Sequence, residues 1–234
     1  DRELAQRALV ARMLARSHTL DADGPPTPSQ LAAFEGHAKA AMAGLQGWAE
    51  LVSADQVLVD TRQAPGSAQR RRGHPGLLQE APTVGNLVGG EPGTPLHAPI
   101  VEPVFQNERA TLNVRLMLLP EELQRIVDRQ ALPEGWVAAV IDGAGRVVAR
   151  RPAQERHVGG SATPELLHLM AQRREGLVQT TSLDGTAVTG YFSTTPQGWT
   201  YATAMPRSGV GPRLPRSEEH TSELQSRVDI SYAV

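Results

Sequence analysis

The chain of 234 residues predicts an α+β fold with two antiparallel five-stranded sheet modules in tandem along a long N-terminal helix. Three observations predict it. Between Gly135 and Pro206 the pattern reads strand, strand, helix and three more strands. Its opening hairpin is repeated, less perfectly, between Gly47 and Thr61, which is duplication at the scale of a module. The N-terminus is amphipathic and helical in period.

Taken in order, Asp1 to Leu20 places Leu4, Ala8, Ala11 and Ala15 on one stripe with Ala5, Leu9 and Met13 beside it, and sets most of its arginines, Arg7 among them, elsewhere. Asp21 to Pro26 breaks the helix. Thr27, Pro28 and Gln30 restart it as a capping box with proline in the first turn, and Leu31, Phe34, Ala38, Ala41, Met42 and Leu45 form its buried face. Gly47 to Ala54 and Gln56 to Thr61 form a hairpin whose turn, Ala54-Asp55-Gln56, lacks a glycine. Gln63 to Gly76 is rich in Gly, Pro and Arg and predicts an exposed loop. Thr83 to Val88, Leu96 to Phe105 and Ala110 to Met117 supply three strands, the last alternating Leu112, Val114 and Leu116 against Thr111, Asn113 and Arg115. Pro120 to Ala131 is a connecting helix with Leu123, Ile126 and Val127 inward. Trp136 to Arg150 is a hairpin, Pro164 begins a helix capped by Ser161 or Thr163, and Asp184-Gly185 turns the next strand pair. Trp199, Tyr201 and Thr203 share one face of the final strand, which predicts packing on the Pro164 helix or the N-terminal helix.

At 40% hydrophobic residues the chain can bury a core, and its length allows one or two domains. Cysteine is absent, which excludes disulfides and thiolate metal sites. No apolar run approaches the ~20 residues that cross a bilayer as a helix. With Asp1 and no methionine in front, the chain reads as a segment whose targeting elements lie outside it. Arg216 to Ser226 resembles the in-frame translation of a sequencing-adapter oligonucleotide, so the tail from 208 is expected to be artefactual from 216. Residues 216 to 234 carry two Arg against three Glu and one Asp, so the remainder is neutral. That argues against a nucleic-acid partner, which needs a basic excess.

Val140-Ile141-Asp142-Gly143-Ala144-Gly145-Arg146-Val147-Val148-Ala149-Arg150, then Val158-Gly159, Asp184-Gly185, Tyr191, Gly198-Trp199 and Pro206 resemble the membrane-proximal half of a double Cache domain, a tandem of PAS-like modules. The resemblance implies a helical spine at 1–46, a membrane-distal module at 47–118 and a membrane-proximal module at 119–207. It implies the extracytoplasmic sensing domain of a bacterial receptor such as a sensor histidine kinase, on the periplasmic or extracellular side of the inner membrane. The receptor would be anchored through flanking segments and dimeric, with a small-molecule ligand and no cofactor. The other function class weighed is an intracellular PAS-type module or an enzyme of unknown reaction.

No catalytic constellation stands out. Gly143-Ala144-Gly145 leads into a strand and lacks the helix N-terminus that a dinucleotide needs. Gly159-Gly160-Ser161 is not a nucleophile elbow. The seven histidines show no metal spacing, and Glu50, Asp60, Glu102, Asp142 and Asp184 sit at strand ends or turns without an evident partner. The candidate ligand residues are Trp48, Arg62, Asn86, His97 and Glu102, on or beside strands of the distal module, where the resemblance places the pocket. That segment, Trp48 to Met117, holds no tyrosine, which disfavours the amino acids that one subgroup of the family binds through a tyrosine-containing signature.

Overall fold

The computed structural model describes residues 2–20, 24–63, 71–72 and 78–207. Most of the Gly, Pro and Arg loop and the whole string 216–234 fall outside them, so the expectation for the tail is not addressed. The described residues divide into two compact units, one of Glu3–Gly85 with His97–Leu119, the other of Asn86–Leu96 with 120–207.

In the first unit, helix α1 (Arg2–Ala15) is followed by a 3-10 turn at His18–Leu20 and by α2 (Pro28–Ala41). The capping box forms as read: Thr27 Oγ1 accepts from Gln30 N–H, and Gln30 Oε1 accepts from Thr27 N–H. The buried stripe of α1 is rotated from the expected one. Leu4, Arg7, Ala11, Leu14 and Ala15 turn inward, while Leu9 and Met13 are exposed. Arg7 is fully buried, its Nε donating to Glu3 Oε1 at 2.8 Å. Gly47, at φ +116, lets the main chain pass there, since a Cβ would lie 1.9 Å from the Met117 carbonyl oxygen.

The sheet of this unit comprises β1 (Gly47–Val52), β2 (Gln56–Asp60), the two-residue β3 (Arg71–Arg72), β4 (Thr83–Val84), β5 (Ala98–Gln106) and β6 (Arg109–Leu118), ordered β3-β2-β1-β6-β5-β4. The turn without glycine closes through side chains. Ser53 Oγ donates to Asp55 Oδ1 at 2.8 Å and accepts from Gln56 N–H, and a register shift follows Leu51. Residues 78–81, which lead into β4, carry no helix.

In the second unit α3 (Pro120–Asp128) precedes β7 (Val137–Ile141) and β8 (Val147–Arg151). The one-turn α4 (Gln154–His157) and α5 (Pro164–Gln172) follow, then β9 (Glu175–Thr181), β10 (Ala187–Thr194) and β11 (Thr200–Pro206). The sheet order β8-β7-β11-β10-β9 repeats that of β2-β1-β6-β5-β4, so the duplication seen in the hairpins extends to whole-sheet topology. Asp142, fully buried, holds the β7–β8 turn: its carboxylate accepts from the N–H groups of Ala144, Arg146 and Leu87. Arg146 in turn donates to the carbonyls of Leu87 and Gly159. That is why Asn86–Leu96 belongs to this unit.

Two inward assignments are corrected. On α3, Gln124 rather than Ile126 is buried, because its amide meets both the N–H and the carbonyl of Arg150 on edge strand β8, at 2.8 and 2.9 Å. On β11, Ala202 pairs with Phe192 on the α5 face, which turns Tyr201 to the reverse face, against Tyr191 and Trp136 instead of α5.

Tyr201 donates its hydroxyl to Gln130 Oε1, yet burial dominates and pushes its pKa up to about 12. The folded state therefore holds the phenolic proton more tightly than the unfolded chain does. This contribution is whole below pH ~10, the ordinary tyrosine value, and is lost between there and about 12, amounting to about 2–3 kcal/mol. Urea melts between pH 9 and 12 should show this loss in the native chain and its absence in Tyr201→Phe.

Candidate functional site

Strand register assigns the side chains of the first sheet to its two faces. Asp60, Glu50, Arg115 and Val101 stand opposite one another across β2, β1, β6 and β5, and therefore share a face. Trp48, two residues from Glu50, lies on that face, level with Met117 and Pro99. The reverse face carries Val59, Leu51, Val114 and Glu102.

On the first face the polar groups converge. Trp48 is buried and donates its indole N–H to Glu50 Oε1 at 2.9 Å. The His97 ring lies against it, centroid to centroid at 4.8 Å with the planes tilted by 57°. The Arg62 guanidinium sits over the indole, 4.1 Å from its centroid, a cation–π geometry. Arg62 also grips Asp60 through Nε at 3.0 Å and Nη2 at 2.7 Å and stands 3.6 Å from Glu50. Arg115 Nη1 approaches Glu50 Oε2 at 3.4 Å. Burial pushes the Asp60 carboxyl up, but the hydrogen bonds and charge of Arg62 outweigh it and hold the pKa below the ordinary value. Arg62 moves up in response, chiefly through its hydrogen bond to Asp60.

Of the five candidate residues, Trp48, Arg62 and His97 are therefore brought together. The other two are not. Glu102 points to the reverse face, where it accepts from Arg12 Nε of α1 at 3.1 Å, because its pairing with Val114 sets it out of phase with Arg115. Asn86 is exposed and belongs to the second unit. Glu50, Asp60 and Arg115 complete the cluster. Period two from Trp48 reaches Glu50, and the alternation of β6 sets Arg115 opposite its apolar residues, but only the register joins the strands. The carboxylates without an evident partner in the sequence all have one: Asp142 holds a turn, Asp184 meets Arg150 and His157, and Glu50, Asp60 and Glu102 meet arginines.

A cavity of about 870 Å³ lies between α2 and β2, lined by Leu31, Glu35, Asp55, Gln56 and Leu112 among others. None of Trp48, Arg62, His97 or Arg115 lines it, although Asp60 of the cluster does, and its three acids are occupied locally, Glu35 by Lys39, Asp55 by Ser53 and Asp60 by Arg62. The aromatic and charged cluster is the better candidate because its polar groups converge. Among the described residues no group of His, Cys, Asp and Glu could hold a metal, and no helix is long and apolar enough to cross a membrane.

No protein-family model and no curated protein matches the chain. Solved structures do. The extracellular domain of rpHK1S-Z16, classed as a histidine kinase, aligns at TM-score 0.66 and 13% identity over 88% of this chain and 85% of its own. The ligand-binding domain of the Pseudomonas aeruginosa PAO1 amino-acid chemoreceptor PctB, in complex with L-Arg, aligns at 0.62 and 13% over 92% of each. The periplasmic sensory domain of the Campylobacter jejuni chemoreceptor Tlp1 aligns at 0.63 and 9% over 92% and 95%. The chain has the α+β fold of these extracellular sensor domains.

Proposed function

We propose that this chain is the extracytoplasmic ligand-sensing domain of a transmembrane signalling receptor, a histidine kinase, which passes small-molecule binding to a cytoplasmic output domain. In this reading the first unit is membrane-distal and the second membrane-proximal. Flanking segments anchor the receptor, which works as a homodimer on the periplasmic side of the inner membrane, and the segment itself performs no catalysis. The observation that carries the reading is the convergence of Trp48, Glu50, Asp60, Arg62, His97 and Arg115 on one sheet face, in a chain with the fold of receptor sensor domains.

The chemistry favours a small ligand with an anionic group. Arg115 meets Glu50 through one nitrogen at 3.4 Å, and the rest of its fork can receive an anion, while the indole and imidazole offer ring faces. Sensor domains with this fold have been solved with L-arginine and with asparagine. The absence of tyrosine between Trp48 and Met117 weighs against the same class here. A thermal-shift screen of the chain against small organic acids, amines, purines and L-amino acids tests the reading. A hit is expected that His97→Ala and Arg115→Gln each abolish, with the free His97→Ala protein still folded. Hits indifferent to both substitutions, or none in any class, would count against it.

A further inference from the structure

The second unit contains a small cavity on the α5 face of its sheet. Ala139, Ala202 and Ala204 present only methyl groups there, and the hollow they leave, about 60 Å³, is walled with hydrocarbon by Ile141, Val178 and Val188. One lining residue is charged. Arg150 pairs with Ala139 across β7 and β8, so its side chain stands on the cavity face, and it is 2% exposed. Its guanidinium ends on the Pro152 carbonyl and on the carboxylate of Asp184. Asp184 belongs to the exposed turn between β9 and β10, and its other oxygen meets His157 Nε2 at 2.9 Å. Partial burial would raise the Asp184 carboxyl, but His157 and Arg150 outweigh it and hold the pKa low.

A buried cation requires a counter-anion. Here an exposed turn supplies it, and such an anion can be exchanged for another. Each methylene fills roughly the share of liquid volume of one water molecule, ~30 Å³, so the hollow takes an alkyl group of about two or three carbons. We propose that this cavity binds a short-chain monocarboxylate, with its alkyl chain in the hollow and its carboxylate replacing Asp184 on Arg150. Occupancy releases Asp184, and with it the tie between the β9–β10 turn and His157 at the end of α4. The site shares no residue with the Trp48 cluster, so it stands apart from the proposed sensing site.

Calorimetric titration with sodium acetate, propionate, butyrate and hexanoate, at ionic strength matched with sodium chloride, tests it. Affinity is expected to rise about fourfold per methylene from acetate to butyrate and to drop at hexanoate, which overfills the hollow. Asp184→Asn removes the competing charge and should tighten propionate binding by about tenfold or more. That is a gain which damage to the fold cannot mimic. Ala202→Leu fills the hollow without touching Arg150 and should abolish binding, whereas His97→Ala should leave it unchanged. Equal responses to all four carboxylates and to chloride, or weaker binding in Asp184→Asn, would overturn the proposal.

Discussion

Trp199→Ala is expected to lower the stability of the second unit by about 3–5 kcal/mol, the usual cost of truncating a fully buried tryptophan. Trp199 is 1% exposed and stands first by volume among the fully buried side chains. Its main chain is fixed as well. Trp199 N–H donates to Thr195 Oγ1 at 3.2 Å, and its carbonyl accepts from Thr195 N–H at 2.7 Å, closing the loop that feeds β11. β11 lies between β7 and β10, so a cavity beside its start weakens a central strand of the sheet. Urea unfolding followed by circular dichroism should show this loss, and Trp199→Phe, which keeps most of the ring, should lose less than half as much. A Trp199→Ala loss below ~1 kcal/mol would mean that the site collapses around the smaller side chain.

The order of elements was legible because it rests on local signals: Thr27-Pro28-Ser29-Gln30 starts a helix, Asp184-Gly185 turns a hairpin, and the apolar run at Trp136 to Ile141 makes a strand. Which face a residue occupies was legible only within one strand. Trp48 and His97 share one face, but Glu102 went to the reverse face because cross-strand register, which period two does not encode, set its phase against Arg115. Asn86 was placed by chain order beside β4. Its segment instead belongs to the second unit, through a buried carboxylate 55 positions away that accepts the Leu87 N–H. The α1 stripe failed for another reason. Its small alanines scarcely bias the helix rotation, so Arg7 turns inward with its ion-pair partner Glu3 while Leu9 and Met13 face outward.

The charged cluster around Glu50 should respond asymmetrically to loss of its members. The Glu50 side chain is 10% exposed and that of Arg115 16%, so both lie where water screens little. Glu50→Leu strands Arg115 without its counter-charge and takes the acceptor from the Trp48 indole N–H, for an expected loss of about 3–5 kcal/mol. Arg62 suffers less, because it keeps Asp60 at 2.7 Å. Arg115→Leu leaves Glu50 with the Trp48 donor and with Arg62 at 3.6 Å, and should cost about 1–3 kcal/mol. Combining the two removes both charges together. The double variant should therefore be no less stable than Glu50→Leu alone, with a coupling energy of at least ~1 kcal/mol from the double-mutant cycle. Losses that simply add, or equal losses for the two single changes, would mean that Arg115 is compensated by solvent and that Glu50 serves only the indole.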